Sequence, residues 1–205
     1  MSLKDRVAGL VLKPAEVTSV ERLGEHFTRV GLRLRAETWA PGAKLQVAVD
    51  GTTLRTYTPV ATDEGAELLA FAHGDGPGAR WARAVAPGAV RVFGPRGSLD
   101  LTKLESPVVF VGDETSAGLA LALHRSRPGL AVRYVFEAVD EAELRAVLAA
   151  VGLDAEVGAT PTVDADHDLV LSGNGATIKR LRRELPKARR TLVKTYWAEG
   201  RTGLD

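Results

Sequence analysis

The sequence predicts two domains in series: a six-stranded antiparallel Greek-key β-barrel, followed by an α/β domain with a parallel sheet of the nucleotide-binding kind. Two observations carry this fold class. Short segments with alternating apolar and polar residues fill the first half of the chain, whereas strand-like and helix-like segments alternate in the second half. The change falls near residue 105, and 205 residues are enough for two small domains.

Six segments of strand length make up the first half, and turn residues such as Pro41-Gly42 and Pro87-Gly88 separate them. In order they are AEVTSVERL, HFTRVGLRLR, AKLQVAV, LRTYTPV, AELLAFAHG and AVRVFG. One helix, GARWARAV, interrupts them after a glycine-rich turn. Because many short strands in succession are typical of small barrels, we assign residues 1–103 to the first domain.

The second half alternates four strands with three helices, which predicts right-handed βαβ units around a parallel sheet. The strands are SPVVFVG, AVRYVFE, HDLVLSG and TLVKTYW, and the helices are SAGLALALHRS, DEAELRAVLAAV and ATIKRLRREL. We assign residues 104–205 to this domain and expect EVGATPTVDAD to be a surface loop.

Composition excludes several classes of function. The formal net charge of +1 argues against nucleic acid as the main partner, and the lack of cysteine excludes thiolate metal sites and cysteine nucleophiles. The four histidines show no ligand spacing and no serine lies in a nucleophile-elbow pattern, so we predict neither a metal centre nor a catalytic side chain. Redox chemistry would have to come from a bound cofactor. With no apolar run of bilayer length and no cleavage site after the N-terminal segment, we expect a cytoplasmic monomer without membrane insertion.

The segment LRTYTPV places an arginine inside a strand. Alternate strand residues share a face, so Arg55 and Tyr57 are expected to point the same way. An arginine fork suits a phosphate, a tyrosine ring suits a flat heterocycle, and Thr58 adds a hydroxyl at the end of the strand. Together they fit a flavin nucleotide. The alternative is a surface arginine beside a half-buried core tyrosine.

The segment HGDGPGARWA is a glycine-rich turn directly before a helix. Exposed backbone N–H groups and the positive end of the helix dipole form an anion site there. A plain turn with proline at the start of a helix is the alternative. The preceding Arg-x-Tyr-Thr strand favours the anion site, and with it a dinucleotide.

The order of RTYTPV, AHGDGPGARWA, VFGPRG, VFVGDETSAGLAL and VKTYWAEGRTG resembles the siderophore-interacting proteins, which are flavin-dependent ferric-siderophore reductases of the ferredoxin-reductase superfamily. The resemblance covers nearly the whole chain. It implies FAD as cofactor, a ferric siderophore as substrate, and electrons from NADH, NADPH or ferredoxin.

The resemblance also assigns roles to residues. Arg55 would meet the pyrophosphate, Tyr57 would stack on the isoalloxazine, and Thr58 would lie near its redox nitrogen. The remaining FAD contacts that it implies in this half are Pro59, His73, Gly76, Pro77, Gly78 and Ala79. Three positions depart from the family pattern: Val60 replaces an arginine, Ala79 replaces a hydroxyl residue, and Gly78 replaces an alanine. Each departure removes a contact or a methyl group, and weaker flavin binding would follow.

In the second half, Asp113 and Thr115 follow a buried strand, where open α/β sheets bind ligands. The resemblance implies that this segment faces the flavin or the nicotinamide, but the same residues could simply cap the next helix. Glu137, at the end of the next strand, favours NADH because an acid there repels a 2′-phosphate, unless it is only a solvated acid. Asn174 stands where the family commonly has glutamate.

Basic residues are concentrated near the C-terminus, from Lys179 to Arg190. This run is either a solvated helix face or an electropositive rim that attracts an anionic chelate or NADPH. The resemblance favours Lys194 and Arg96 as direct substrate contacts. Three alternatives stay open: another flavin oxidoreductase of this fold, a non-catalytic flavin or siderophore carrier, and a member without flavin.

Overall fold

A computed structural model describes residues 12–34, 38–51, 53–105 and 107–200. The chain divides into two compact units, Met1–Ser98 and Leu99–Asp205. Each unit has its own sheet and is described by itself.

The first unit is a seven-stranded antiparallel sheet with the strand order β4-β3-β7-β1-β2-β6-β5. One helix, α1 (Pro77–Ala84), lies between β6 and β7 in the chain. Its core is a cluster of aliphatic residues that includes Val30, Leu45, Val47 and Leu68. The strands are β1 (Lys13–Arg22), β2 (Phe27–Arg33), β3 (Lys44–Ala48), β4 (Leu54–Tyr57), β5 (Val60–Thr62), β6 (Gly65–Phe71) and β7 (Gly88–Arg96).

The strand count corrects the sequence prediction of six. The segment LRTYTPV is two strands rather than one, because Pro59 has no backbone N–H to continue a ladder. The two pieces, β4 and β5, are the opposite edge strands of the sheet. Only Thr58 and Pro59 link them, and three Cα steps of about 3.8 Å span no more than about 11 Å. The sheet must therefore curl until its edges approach each other, which confirms the barrel-like fold.

The second unit is a five-stranded parallel sheet with the order β10-β9-β8-β11-β12, as the alternation of strands and helices predicts. Strand β8 is buried along its whole length, the usual state of a central strand in a parallel sheet. The strands are β8 (Val108–Gly112), β9 (Val132–Phe136), β10 (Glu156–Val157), β11 (Asp168–Asn174) and β12 (Arg190–Trp197). The helices are α2 (Ala117–Ser126), α3 (Glu141–Ala150) and α4 (Gly175–Glu184).

The segment EVGATPTVDAD is not wholly a surface loop, which corrects a second expectation. Its first two residues form β10, which pairs with β9, and the Gly158 N–H donates to the Phe136 carbonyl at 2.9 Å. Val157 and Val163 are buried. These two valines are the apolar contacts of an otherwise polar segment. Within the described ranges, no helix has the length and apolar character needed to cross a bilayer.

A fully buried carboxylate ties the start of β11 to its neighbours. Asp168 has 0% exposure and accepts from Arg189 Nε at 3.0 Å and from the Glu105 N–H at 2.8 Å. Arg190 Nη1 lies 3.5 Å from its second oxygen. Burial raises the pKa of Asp168, but the hydrogen bonds and the two guanidinium charges outweigh burial, so the pKa falls below its ordinary value.

This lowered pKa predicts a pH-dependent contribution to stability. Because the carboxylate is favoured in the folded state, its contribution is complete above the unfolded pKa of about 3.9 and is lost as the pH falls through the lower folded value. We expect Asp168→Asn to cost about 1–3 kcal/mol in unfolding free energy at pH 7 and less at pH 3. Urea unfolding at both pH values measures this, with the exposed Asp154→Asn as control. A cost that is equal at both pH values would contradict the prediction.

Candidate functional site

Arg55 and Tyr57 lie on the same face of β4, as the alternation of strand residues predicts. Arg55 pairs with Val47 and Tyr57 with Leu45 of the neighbouring strand β3. Both partners are fully buried, so this face of β4 is the one that meets the core. Tyr57 packs against that core while remaining partly exposed.

The glycine-rich turn leads into α1 through Gly76, which is the N-cap residue. Gly76 has no side chain, so the N-cap residue itself accepts no side-chain hydrogen bond from the first turn of α1. Pro77 has no N–H, and the N–H groups of Gly78 and Ala79 have no acceptor inside the helix, because the first turn of a helix leaves its donors unpaired. Gly74 has a φ of +60°, a conformation that favours glycine. The turn therefore presents backbone donors suited to an anion.

Arg55 lies directly against this turn. A Cβ atom built on Gly78 would lie 3.2 Å from Arg55 Cγ and 3.4 Å from Cδ, so the Arg55 side chain lies in close contact with this residue. Arg55 Nη1 donates to the carbonyl of Leu54 at 2.8 Å, which leaves most of the donors of its fork for other acceptors. A permanent positive charge and the N-terminus of α1 thus lie side by side.

An aromatic pair adjoins the same helix. The rings of Tyr57 and Trp81 are 5.4 Å apart at an angle of 43°. Helix α1 lies close to the sheet because small residues meet there: Ala79, only 5% exposed, and Ala82 pack with Ala70 and Ala72.

Burial raises the pKa of the Tyr57 phenol well above its ordinary value. Tyr57 therefore stays neutral at physiological pH and offers a ring surface rather than a titrating group.

The other residues expected to contact FAD in this unit have mixed surroundings. Thr58 and Pro59 are buried, and the Pro59 carbonyl accepts from Trp39 Nε1 at 3.4 Å. His73 is exposed, with its ring 6.0 Å from that of Phe71. Val60 is only 1% exposed, so an arginine at this position would have to leave the core. The contacts predicted for these residues stay predictions.

Arg96, expected to contact substrate, lies at the end of β7 in the same unit. Its guanidinium lies 4.3 Å from the centre of the Phe93 ring, and it also donates to the buried Gln46 side chain. These contacts hold the side chain in one place. Its outer donors remain suited to an anion, but a role in substrate binding stays a prediction.

In the second unit, the strand order predicts a crevice outside the carboxyl ends of β8 and β11. Strands β9 and β10 extend the sheet to one side of β8, while β11 and β12 extend it to the other, which is the switch-point arrangement where open α/β sheets bind ligands. Asp113 follows β8 at this point, and Asn174 ends β11.

Asp113 is a structural hub. Only 9% exposed, it accepts from the N–H groups of Thr115 at 3.0 Å and Asn174 at 2.8 Å, and from Trp197 Nε1 at 2.9 Å. The Thr115 and Ser116 hydroxyl groups donate to it as well. The structure thus contains the capping arrangement that the sequence left as an alternative. The carboxylate oxygens of Asp113 already accept hydrogen bonds from several protein donors. A cofactor contact by Asp113 or Thr115 stays a prediction.

Two further acids near this crevice are also engaged. Glu114 Oε1 accepts from the Val139 N–H at 2.6 Å. Glu137 pairs with Arg180 at 2.5 Å, and Arg180 also bonds Glu184 at 2.8 Å. Because Arg180 partly neutralises Glu137, this acid repels a 2′-phosphate less than an unpaired carboxylate would. The choice between NADH and NADPH therefore stays open.

The remaining basic residues divide into paired and exposed groups. Arg180, Arg189 and Arg190 form ion pairs with acids. Lys194 Nζ lies 5.6 Å from the centre of the Tyr196 ring in β12. Four cations are exposed: Lys179, Arg182, Arg183 and Lys187. Both interpretations of this run, solvated face and electropositive rim, stay open. Asn174 caps α4, its Oδ1 accepting from the Ala176 N–H at 2.7 Å.

The residues of the first unit fit FAD. The open turn at Gly76, where a Cβ would meet nothing within 4 Å, gives a phosphate access to the backbone, and Arg55 supplies a charge beside it. The Tyr57 ring, with the Trp81 ring tilted beside it, offers an aromatic face on which a flat ring could pack. Sequence reasoning missed the network around Asp113, because side chains as distant in the chain as Trp197 complete it.

If Tyr57 contributes through its ring, its hydroxyl group is dispensable for binding. We expect Tyr57→Phe to leave FAD affinity unchanged, whereas Tyr57→Leu, which keeps apolar volume but removes the ring, should cost about 1 kcal/mol of binding free energy. Quenching of flavin fluorescence by the apoprotein measures both dissociation constants. Equal losses in the two variants would mean that the hydroxyl group carries the contribution.

Comparisons with known proteins support an FAD-binding domain in the first half of the chain. Residues 24–99 match the family model of the siderophore-interacting FAD-binding domain. A search of curated protein sequences finds no match.

Solved structures share the fold of both units. A siderophore utilization protein from T. fusca has a TM-score of 0.72 and 24% identity, over 95% of each chain. Phthalate dioxygenase reductase has a TM-score of 0.74 and 16% identity, over 98% of this chain and 71% of its own. CYP116B46 from Tepidiphilus thermophilus has a TM-score of 0.74 and 19% identity over 97% of this chain, which spans 30% of that protein. At these identities the likeness establishes the fold alone. The match to the siderophore-interacting FAD-binding domain covers the segment that carries Arg55, Tyr57 and the glycine-rich turn.

Proposed function

We propose that this protein is an FAD-dependent oxidoreductase that reduces ferric siderophores and releases Fe(II). The observation that supports the proposal is that the Arg55 side chain lies against Gly78, in the first turn of α1, where backbone N–H groups have no acceptor inside the helix. The match of residues 24–99 to a siderophore-interacting FAD-binding domain supports the choice of cofactor and of substrate class.

Bound FAD would supply the redox chemistry, accepting hydride from a reduced nicotinamide and passing single electrons to ferric ion. The chain's own residues bind and orient. Arg55 and the N–H groups of Gly78 and Ala79 would hold the pyrophosphate, while Tyr57 and Trp81 would offer the ring surface. Thr58, Pro59, His73, Gly76 and Pro77 would complete the contacts. Reduction releases iron because Fe(II) binds hard chelators far less tightly than Fe(III) does.

Fewer observations support the choice of substrate and of electron donor. Lys194 and Arg96 are the basic residues that we propose for an anionic ferric chelate. Asp113 and Thr115 lie at the crevice where a nicotinamide dinucleotide would bind. One similar structure is described as a siderophore utilization protein, and another as transferring electrons from pyridine nucleotides to a [2Fe-2S] centre. The second likeness supports NADH or NADPH as electron donor, and the family resemblance adds a reduced ferredoxin. We propose a cytoplasmic monomer.

Two other functions remain to be separated from this one by experiment. A flavin oxidoreductase of the same fold would prefer quinones or free flavins to ferric chelates. A flavin or siderophore carrier would bind without turnover, and the buried Val60, in place of a family arginine, is the observation in its favour.

The first test is the visible absorption spectrum of the purified protein, with FAD added if it is colourless. Twin flavin bands displaced from those of free FAD are expected. The loaded protein is then assayed anaerobically for Fe(II) release from ferric chelates with NADH, NADPH or reduced ferredoxin. Flavin binding with no electron transfer to any chelate would refute the reductase and favour the carrier.

A further inference from the structure

The C-terminus of α1 is held by an arginine from a distant strand. Arg22, the last residue of β1, donates through Nη1 to the Ala82 carbonyl and through Nη2 to the carbonyls of Arg83 at 2.7 Å and Val85 at 3.2 Å. Thr28, which pairs with Arg22 across β1 and β2, donates its hydroxyl to the Ala82 carbonyl at 2.9 Å. We call Arg22 and Thr28 the helix clamp.

The clamp satisfies acceptors that the helix cannot satisfy itself. The last turn of any α-helix leaves its carbonyl groups without N–H partners, and a cation there also complements the negative end of the helix dipole. Arg22 provides both a fork of donors and a charge. These bonds matter more here than in a long helix, because α1 has only eight residues and so short a helix is barely stable by itself.

The two ends of α1 therefore make different contacts. Its N-terminal turn carries Gly78 beside Arg55, and its C-terminal turn is bound to the sheet. Loss of the clamp would fray about one of the two turns of the helix, which would weaken the dipole and release the N–H groups from their position beside Arg55.

We propose that Arg22 is a positioning residue for phosphate binding: by clamping the C-terminus of α1, it sets the anion-binding turn at the other end. The inference rests on the proposed FAD site. It assigns to Arg22 the part of flavin affinity that depends on the phosphates, and none of the part that depends on the isoalloxazine ring.

Ligands that share a ring but differ in phosphate test this division. FAD, FMN and riboflavin are titrated into the apoprotein below its unfolding temperature. The ratio of the riboflavin to the FMN dissociation constant measures the contribution of one phosphate, and the ratio of the riboflavin to the FAD dissociation constant measures that of the pyrophosphate and adenosine together. We expect Arg22→Met to lower the second ratio about tenfold while changing riboflavin affinity less than about threefold. Arg22→Lys, which keeps the charge but not the fork, should recover part of the ratio. The control is Arg33→Met, an exposed arginine of β2 that pairs with Glu16.

The outcomes are distinguishable from those for the proposed function. A wild-type protein that does not prefer FAD to riboflavin would refute the FAD site itself. A wild-type preference that Arg22→Met leaves unchanged, or an equal loss for all three ligands, would overturn the positioning role. If Arg22→Met does not fold, Thr28→Val removes one bond of the clamp at a buried position and should lower the same ratio by a smaller factor. An unchanged ratio in Thr28→Val would then overturn the proposal.

Discussion

Asp113→Ala is expected to lower the free energy of unfolding by about 3 kcal/mol or more. The substitution removes the common acceptor of Trp197 Nε1 and the backbone N–H groups of Thr115 and Asn174. Hydrogen bonds to charged groups contribute about 1.5–3 kcal/mol each, and donors left buried without an acceptor add a desolvation cost. These bonds join the ends of β8, β11 and β12, so their loss affects the whole carboxyl edge of the sheet.

A second constraint makes this site difficult to repair. Gly173 has a φ of +107°, and a Cβ there would lie 2.3 Å from the Asp113 carboxylate. Only glycine at residue 173 leaves room for the Asp113 carboxylate to lie this close to β11. A neighbouring residue cannot supply the missing oxygen without a change in the backbone.

Urea unfolding of the purified variants measures the effect. Asp113→Asn keeps one acceptor oxygen but turns an amide toward donors, and we expect a smaller loss than for alanine. Asp140→Ala is the matched control, because Asp140 also caps a helix but accepts from one N–H, that of Glu143 at 2.9 Å. It should cost about 1 kcal/mol. Equal losses for Asp113→Ala and Asp140→Ala would show that the network adds nothing to an ordinary cap.

The sequence predicted the parts of this fold that local patterns determine. The alternation of strand and helix in the second half gave the parallel sheet, and its four long strands all exist. The missed strand, β10, has two residues and no periodicity to detect. The break at Pro59 was visible in the sequence, since proline cannot continue a ladder, but a segment of seven residues fits either one strand or two.

Contacts between distant residues explain what the sequence could not predict at the site. The sequence indicated Arg55 and the glycine-rich turn separately, and the structure adds that Arg55 lies against Gly78. Arg22 carried no signal, because one arginine at the end of an alternating strand is indistinguishable from a solvated one. For Asp113 the sequence left both a cap and a ligand open: the structure has the local capping bond from Thr115, and the bonds from the distant Asn174 and Trp197 could not be foreseen.

Arg55→Ala is expected to weaken FAD binding by about 1–3 kcal/mol, a factor of roughly 5 to 150 in the dissociation constant. The guanidinium is the charged group that lies against the first turn of α1, and a fork of donors matches a pyrophosphate better than backbone N–H groups do alone. Arg55→Lys should retain part of the affinity, because it keeps the charge but loses the fork.

Salt and ligand chemistry separate this electrostatic contribution from a general loss of structure. Because salt screens an exposed ion pair, the difference between wild type and Arg55→Ala should shrink as ionic strength rises. Riboflavin, which lacks phosphate, should bind both proteins equally. Fluorescence titration of FAD and riboflavin at low and high salt measures this, with Arg33→Ala as control for the loss of an exposed arginine.

An Arg55→Ala protein that binds FAD as tightly as wild type would show that the turn alone holds the phosphates. An equal loss of FAD and riboflavin affinity would place the contribution of Arg55 in the packing of α1. A loss confined to the phosphate-bearing ligand is the result that the contact between Arg55 and Gly78 requires.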